Sequence, residues 1–278
     1  MPIGRPALAG RPFFGDHVQV DSLVADVLAR SDRADSLPRL GGMARPNGVV
    51  IVSEHYWAFA TREGELHEGE MPSRRLAVVR IPLLRGLMQL AASMAPLVRG
   101  RGVARPRERL FLLFALLTPL LFVLLPSRFQ LPAGLLSTAL IILWIFRGRT
   151  LRLHGAEHRA IAAAESRSLE AAWAGAVRPS RFSPRCGTNF AALAIPVTAL
   201  FDHAAPSVLT PTLTGALVAV VSIGVTMELW KAVQHPSGLL RGLLLPGLAL
   251  QRLTTREPAL ADTQVALRAV ASVLRREL

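Results

Sequence analysis

A chain of 278 residues has room for one or two domains, but a mean hydropathy of +0.38 and 51% hydrophobic content, gathered in blocks, point to a membrane protein and away from a soluble enzyme. The formal charge is +13 and almost all of the basic excess is arginine, because Lys231 is the only lysine. Those arginines flank apolar blocks, which reads as retention on the cytosolic side with attraction to anionic lipid; with no recognised module, nucleic-acid binding is the poorer reading.

Residues 1–40 read as a polar, loosely held arm with a short helix over Asp21–Ala29, where Leu23, Val24, Val27 and Leu28 recur at helical spacing. Met1–Gly15 lacks the continuous apolar run of a cleaved signal peptide. Residues 41–80 form a small β element, with strands at Val49–Val52 and Tyr56–Thr61 and a turn centred on Glu63-Gly64. Such a hairpin or meander cannot bury a core alone and must pack on segments further along the chain. Residues 81–108 contain an apolar stretch, Pro82–Val98, broken by Arg85, Gly86 and Gln89. It is either an interfacial helix in the headgroup plane or a buried cytosolic one.

A first membrane hairpin is expected over 109–147, from the blocks Leu110–Leu125 and Leu131–Phe146. Each is about 24 Å long as helix, short of the roughly 30 Å hydrocarbon core. They span with local thinning of the bilayer or turn back as a re-entrant hairpin. A second hairpin over 188–231 joins Phe190–Phe201 to Val208–Leu229 through Asp202, His203 and Pro206. Arginine bias puts the N-terminus, the central loop 148–187 and the segment 232–278, with a helix over Ala259–Leu278, inside. The expected fold is mainly α: a multi-pass helical membrane protein with a small N-terminal β element and a cytosolic helical cap.

The central loop holds the chemistry. In His154-Gly155-Ala156-Glu157-His158, continuing to Glu165, a helix turning about 100° per residue puts His158 about 40° and Glu165 about 20° from His154, on one stripe. Imidazoles at i and i+4 can close on one ion, and Glu157 on the flank can take a proton from metal-bound water, as in the inverted zincin pattern. A polar helix with two histidines is the bland alternative. Glu165, about 10 Å further along the axis, suits an arginine or a supporting position better than the same ion.

Other candidates lie outside the pentad. Cys186 is the single cysteine, so no intrachain disulfide exists. Beside Arg185, which favours the thiolate, it could complete a Cys-His-His set, although packing is the favoured reading. Thr188 follows it. Glu228 stands near the inner end of the last apolar block, one turn before Lys231, either as an intramembrane functional group or as half of an i to i+3 pair. Arg252, Thr254, Thr255, Arg256 and Glu257 offer groups for a phosphate or carboxylate, while a threonine capping a helix near Pro258 is more economical. Arg256 could also clasp Glu157 or Glu165.

Several separated segments resemble the YqhQ-like family of bacterial multi-pass membrane proteins, a domain of unknown function labelled as predicted metal-dependent enzymes. The matching residues are Gly41-Gly42, Arg85-Gly86, His154 to His158 with Glu165, Pro184-Arg185-Cys186-Gly187-Thr188, Glu228, and Pro246-Gly247 leading into Gln251 to Pro258. The chain departs from the pattern in Met43 to Ile51, in Ser183 where the family has histidine, and in Gln264 where it has glutamate. The resemblance implies an integral protein of the bacterial plasma membrane, with both termini cytosolic by the arginine count. Three functions are expected from these readings. The first is a membrane factor acting with other membrane proteins through its polar cap and Glu228. The second is a metal-dependent hydrolase using His154, His158 and Glu157 with a divalent transition metal such as zinc. The third is lipid binding or transport. A homo-oligomer is left open.

Overall fold

The computed structural model of the chain describes residues 17–72, 82–100, 148–204, 211–234 and 242–278, with isolated stretches between 102 and 140. The expected first hairpin, 109–147, lies largely outside the described residues, as does Pro206. Helix α1 (His17–Asp32) leads into strands β1 (Gly41–Arg45), β2 (Gly48–Val52), β3 (Tyr56–Thr61) and β4 (Leu66–Glu70). Then come α2 (Pro82–Ser93), α3 (Ala95–Arg99), α4 (Gly148–Glu165), α5 (Leu169–Trp173), α6 (Gly187–Ala204), α7 (Pro211–Val233), α8 (Leu245–Thr254) and α9 (Leu260–Glu277).

The strands form an antiparallel meander in the order β1-β2-β3-β4. Gly64, at φ +90°, makes the turn into β4, where Thr61 N–H reaches Glu65 O at 2.9 Å. Strand alternation sends Val49 and Ile51, paired with Ala60 and Ala58, to one face, and Val50, paired with Phe59, to the other. The first face is covered by α4 and α9. Alanines in β3, together with Ala156, Ala160, Ala266 and Ala269, let these helices lie close to the sheet. The second face meets Leu97 of α3 and Val103. Both faces are therefore buried, and each fully buried Val, Ile or Phe contributes about 1.5–3 kcal/mol.

Helix α1 is longer and more firmly held than the loose arm expected for 1–40. Leu28 is fully buried in the α4–α9 core, and both Asp32 carboxylate oxygens accept N–H groups of Leu169 and Glu170, at 3.0 Å each, at the start of α5. This is an N-terminal cap supplied by another helix. At α9, Asp262 accepts the Ala259 N–H at 3.3 Å. Thr255 instead terminates α8, its hydroxyl donating to Gln251 O at 2.7 Å. The threonine cap expected for the tail helix thus belongs to the preceding helix.

Helices α6 and α7 form the second apolar hairpin, with Asp202 and His203 inside α6 and not in the connection. Among the described residues, Leu213–Val233 is the one helix long and apolar enough to cross a membrane, at mean hydropathy 1.7. Only 29% of that window is buried within the chain. Helix α2 crosses α7 with Gly86 against Met227. There Arg85 Nη2 donates to Glu228 at 2.9 Å and Lys231 Nζ donates to it at 3.1 Å. Among the described residues the chain is thus mostly helical, with one small open sheet.

Two contacts fix α4 and α9. Arg256 N–H donates to Leu151 O at 2.9 Å, and a Cβ on Gly155 would lie 2.3 Å from Arg256 O. Gly155→Ala is therefore expected to force the 254–258 segment off α4 and lower stability by about 2–3 kcal/mol in denaturant unfolding. At the other end of the cap, Glu277 accepts from Ser53 Oγ at 2.6 Å and from His55 N at 3.2 Å. Burial alone would raise its pKa, but hydrogen bonds from Ser53 and His55 hold it below the usual carboxylate value. A lowered folded-state pKa gives stability that is present above the unfolded value and lost as pH falls through the folded one. Glu277→Gln should therefore cost about 1 kcal/mol at neutral pH, and the gap between variant and parent should close in melts taken below the carboxylate range.

Candidate metal centre

Helix α4 presents His154 and His158 one turn apart, with ring centroids 4.5 Å apart and planes at 65°. His154 Nδ1 lies 2.8 Å from Thr254 O, and His158 Nδ1 lies 2.7 Å from Arg181 O. A carbonyl can only accept, so each Nδ1 carries a proton and donates it. In the neutral rings this leaves both lone pairs on Nε2. His154 Nε2 faces Cys186 Sγ at 3.3 Å, while His158 Nε2 is buried with no hydrogen-bond partner among the described residues. One ligand atom from each of His154, His158 and Cys186 lies within 4.8 Å of the other two.

Cys186 is buried, in keeping with packing, but its sulfur belongs to this group. It sits at the start of α6 and accepts the Thr188 N–H at 3.3 Å. Next to it Arg185 forms an ion pair with Glu165, so Glu165 is an arginine acceptor and not a ligand. Burial first, and then the nearby Arg39 guanidinium, lower the Arg185 pKa.

The loop bearing Arg181 and Cys186 is held by amides. Gln251 accepts Ser183 N–H at 2.9 Å and donates to Ser183 O at 2.7 Å, and Asn189 Nδ2 donates to Ser183 O and Pro184 O at 2.8 and 3.0 Å. Arg181 Nη1 donates to Thr255 O at 2.7 Å. Arg159, nearly buried, donates to Pro179 O at 3.0 Å and to Glu257 at 2.6 Å. Thr188 Oγ1 lies 3.3 Å from Thr254 Oγ1. These supporting groups fix the carbonyls that orient the two rings. Gln251 falls inside a segment that the sequence singled out, whereas a carbonyl's role leaves no mark in sequence.

The remaining candidates stand apart from the three donors. Glu157 is 5% exposed and packs on β1, where its Cγ would be 2.8 Å from a Cβ on Gly42, and it accepts the Ala44 N–H. Burial pushes it up to about 7, with His154 and the Ala44 hydrogen bond pulling the other way. Its carboxylate is not part of the three-atom group. Glu228 lies on α7 between Arg85 and Lys231. The Arg252 and Arg256 side chains are exposed, Thr254 is half-buried and Thr255 is buried. The Arg256 clasp on α4 is real but runs through its backbone, and Glu165 is taken by Arg185.

Two imidazoles and a thiol form a borderline-soft donor set of the kind zinc prefers, and the orphaned Nε2 of His158 is free of any hydrogen-bond partner among the described residues. No curated protein and no solved structure matches the chain. A family model does match residues 110–276, more than half of the chain and all of the elements that carry the three donors. The chain therefore belongs to the family described as Protein of unknown function (DUF1385).

Proposed function

We propose that this is a multi-pass membrane protein, YqhQ-like and held at the bacterial plasma membrane by its apolar hairpins and by anionic lipid. Its cytosolic cap binds a zinc-class ion through His154, His158 and Cys186 as a metal-dependent hydrolase. The observation that carries this reading is the pair of imidazoles, each tied at Nδ1 to a main-chain carbonyl, with a ring nitrogen of each within 4.8 Å of Cys186 Sγ and His154 Nε2 at 3.3 Å from it. Structural zinc sites take four protein ligands, while catalytic ones take three and keep a position open. Among the described residues three donors gather here. Bound there, the ion would act as a Lewis acid toward a carbonyl or phosphoryl oxygen.

The chain's own residues orient the donors. Thr254 O and Arg181 O set the tautomers, the Thr188 N–H at the start of α6 donates to the sulfur, and Glu157, on the same helix as the histidines but outside the donor group, is a buried acid with its pKa raised to about 7. Ser183 and Gln264, which stand where the resemblance expects histidine and glutamate, serve other groups. Ser183 Oγ accepts the Arg185 N–H at 3.2 Å, and Gln264 donates to Trp173 O at 3.2 Å. The alternative role as a factor for other membrane proteins leans on Glu228. That carboxylate is already engaged by Arg85 and Lys231, which favours the metal centre.

Elemental analysis of the full chain, purified in detergent without chelators, is expected to find one zinc-class ion per chain. His154→Ala, His158→Ala and Cys186→Ser should each lower occupancy at least tenfold with helix content unchanged, since even loss of a partner that only orients a ligand costs about 10–100-fold. Glu157→Gln should keep the metal. Cobalt(II) substitution should give thiolate charge-transfer absorption that Cys186→Ser abolishes. Metal-free parent protein, or full occupancy in the three ligand variants, would sink the reading.

A further inference from the structure

Helix α8 has ten residues and is about 15 Å long, too short to cross a hydrocarbon core of roughly 30 Å. Its inner side is Gly247, Leu248 and Gln251, turned toward α6, where a Cβ on Gly247 would meet Asn189. At about 100° per residue the opposite side is Leu245, Pro246, Ala249, Leu250 and Leu253. All five are exposed, Leu245 and Leu253 at 66% and 67%. The only charged residue of the helix, Arg252, stands at the flank of that face in the last turn. A helix that is apolar on both sides needs a cover on both sides, and α6 supplies only one.

The level of α8 along the helix pair names the other cover. The described helix with the length and apolarity to cross a membrane runs over Leu213–Val233. Its last residue, Val233, gathers with Leu193 of α6 and with Leu244, the residue before α8, in one buried apolar cluster, and Trp230 and Leu248 pack against it. Helix α8 is therefore level with the end of that span, where Glu228 and Lys231 bring charge to α7. A bilayer crossed by α7 passes from acyl chains to headgroups at this level. On the neighbouring loop Phe182 is exposed, with the Arg181 guanidinium 4.7 Å from its ring, and the next residue, Ser183, is tied to Gln251 of α8. Aromatic and arginine side chains beside an apolar face suit a headgroup layer.

We propose that α8 lies in the plane of the membrane surface, with Leu245, Leu250 and Leu253 sunk among the acyl chains of one leaflet and Arg252 at the lipid phosphates. A short helix with an apolar face and a cationic flank seats itself in this way, about 5–10 Å deep. Connectivity then sets the depth of the histidine–cysteine cluster. Thr254, next to Leu253, is the residue whose carbonyl accepts from His154, so the cluster stands beside the headgroup layer and not at the far end of the cap. This seat presupposes that the chain is held in a membrane, as proposed above, and is independent of any ion at the cluster.

The test uses the full chain in phosphatidylcholine–phosphatidylglycerol vesicles whose acyl chains carry bromine either near the headgroup or near the chain end. Tryptophan fluorescence of single variants is read as the difference from the parent. Leu250→Trp and Leu253→Trp, with helix content equal to the parent's, are expected to be quenched about twofold or more better by the shallow bromines than by the deep ones. Val220→Trp, at an exposed position near the middle of α7, should show the opposite order, and Glu63→Trp, in the exposed turn before β4, should be quenched by neither. Quenching of Val220→Trp with none at 250 and 253 overturns the proposal and leaves the membrane reading standing; protein, a second copy of the chain included, then covers the face. Absence of quenching at all positions overturns both. A preference for the deep bromines at 250 and 253 also overturns the surface seat, because α8 would then lie inside the hydrocarbon core.

Discussion

The geometry of the cluster rests on two hydrogen bonds from imidazole Nδ1 atoms to main-chain carbonyls. Each carbonyl belongs to a different segment: Thr254 at the end of α8 and Arg181 in the loop before α6. Either bond taken alone is worth about 1 kcal/mol. Their effect on chemistry is larger than that energy, because they decide which nitrogen holds the lone pair. Without them each ring could turn or change tautomer, and the two rings would not be held facing the Cys186 sulfur. The site exists only where α4, the 181–186 loop and the α8–α9 connection meet.

That meeting depends on small residues. Gly155 admits the Arg256 carbonyl to the surface of α4, and Gly247 admits Asn189, where a Cβ would fall 2.0 Å from Oδ1. Close backbone approach brings polar groups into dry places, and these are answered one by one. The buried amide of Gln251 serves both the N–H and the C=O of Ser183. The nearly buried guanidinium of Arg159 is divided between Pro179 O and Glu257. A buried charge paired this way adds little net stability compared with apolar packing, and removing one partner is the costly change. The network is better understood as fixing the register of three segments than as strengthening the fold.

Periodicity made part of the fold legible in the sequence. The i, i+4 histidines, the β-branched run of β2 and the aromatic-rich apolar run of β3 all announce their elements. β1 does not, because Gly41-Gly42 has poor strand propensity and gains its place by pairing with β2 under α4. β4 does not, because it is a charged, half-exposed edge whose glutamates are held by arginines of α9. Cys186 carries little weight in the sequence because no local spacing links it to His158; only the fold brings them together. The Arg256 clasp runs through the main chain where the sequence suggests the side chain, and for a related reason. Side chains can be read from a sequence, but a backbone N–H and C=O are the same at nearly every residue, and Gly155 is the only hint that one of them has to come close.

The cluster also sits at a seam. His154 and His158 belong to the helix that packs on the sheet, whereas Cys186 is the last residue before α6, the first helix of the apolar α6–α7 pair. An ion held by all three would bind only when the sheet-bearing cap and the helix pair are docked, and by mass action would stabilise that docked arrangement over any other. Linkage runs both ways. Whatever moves α6 relative to α4, including events among the exposed apolar side chains Ile195, Leu200 and Leu217 of the helix pair, would change the affinity of such a centre for an ion bound there. A donor set divided between two packed units therefore couples the polar cap to the apolar hairpin, which four ligands on a single loop would not do.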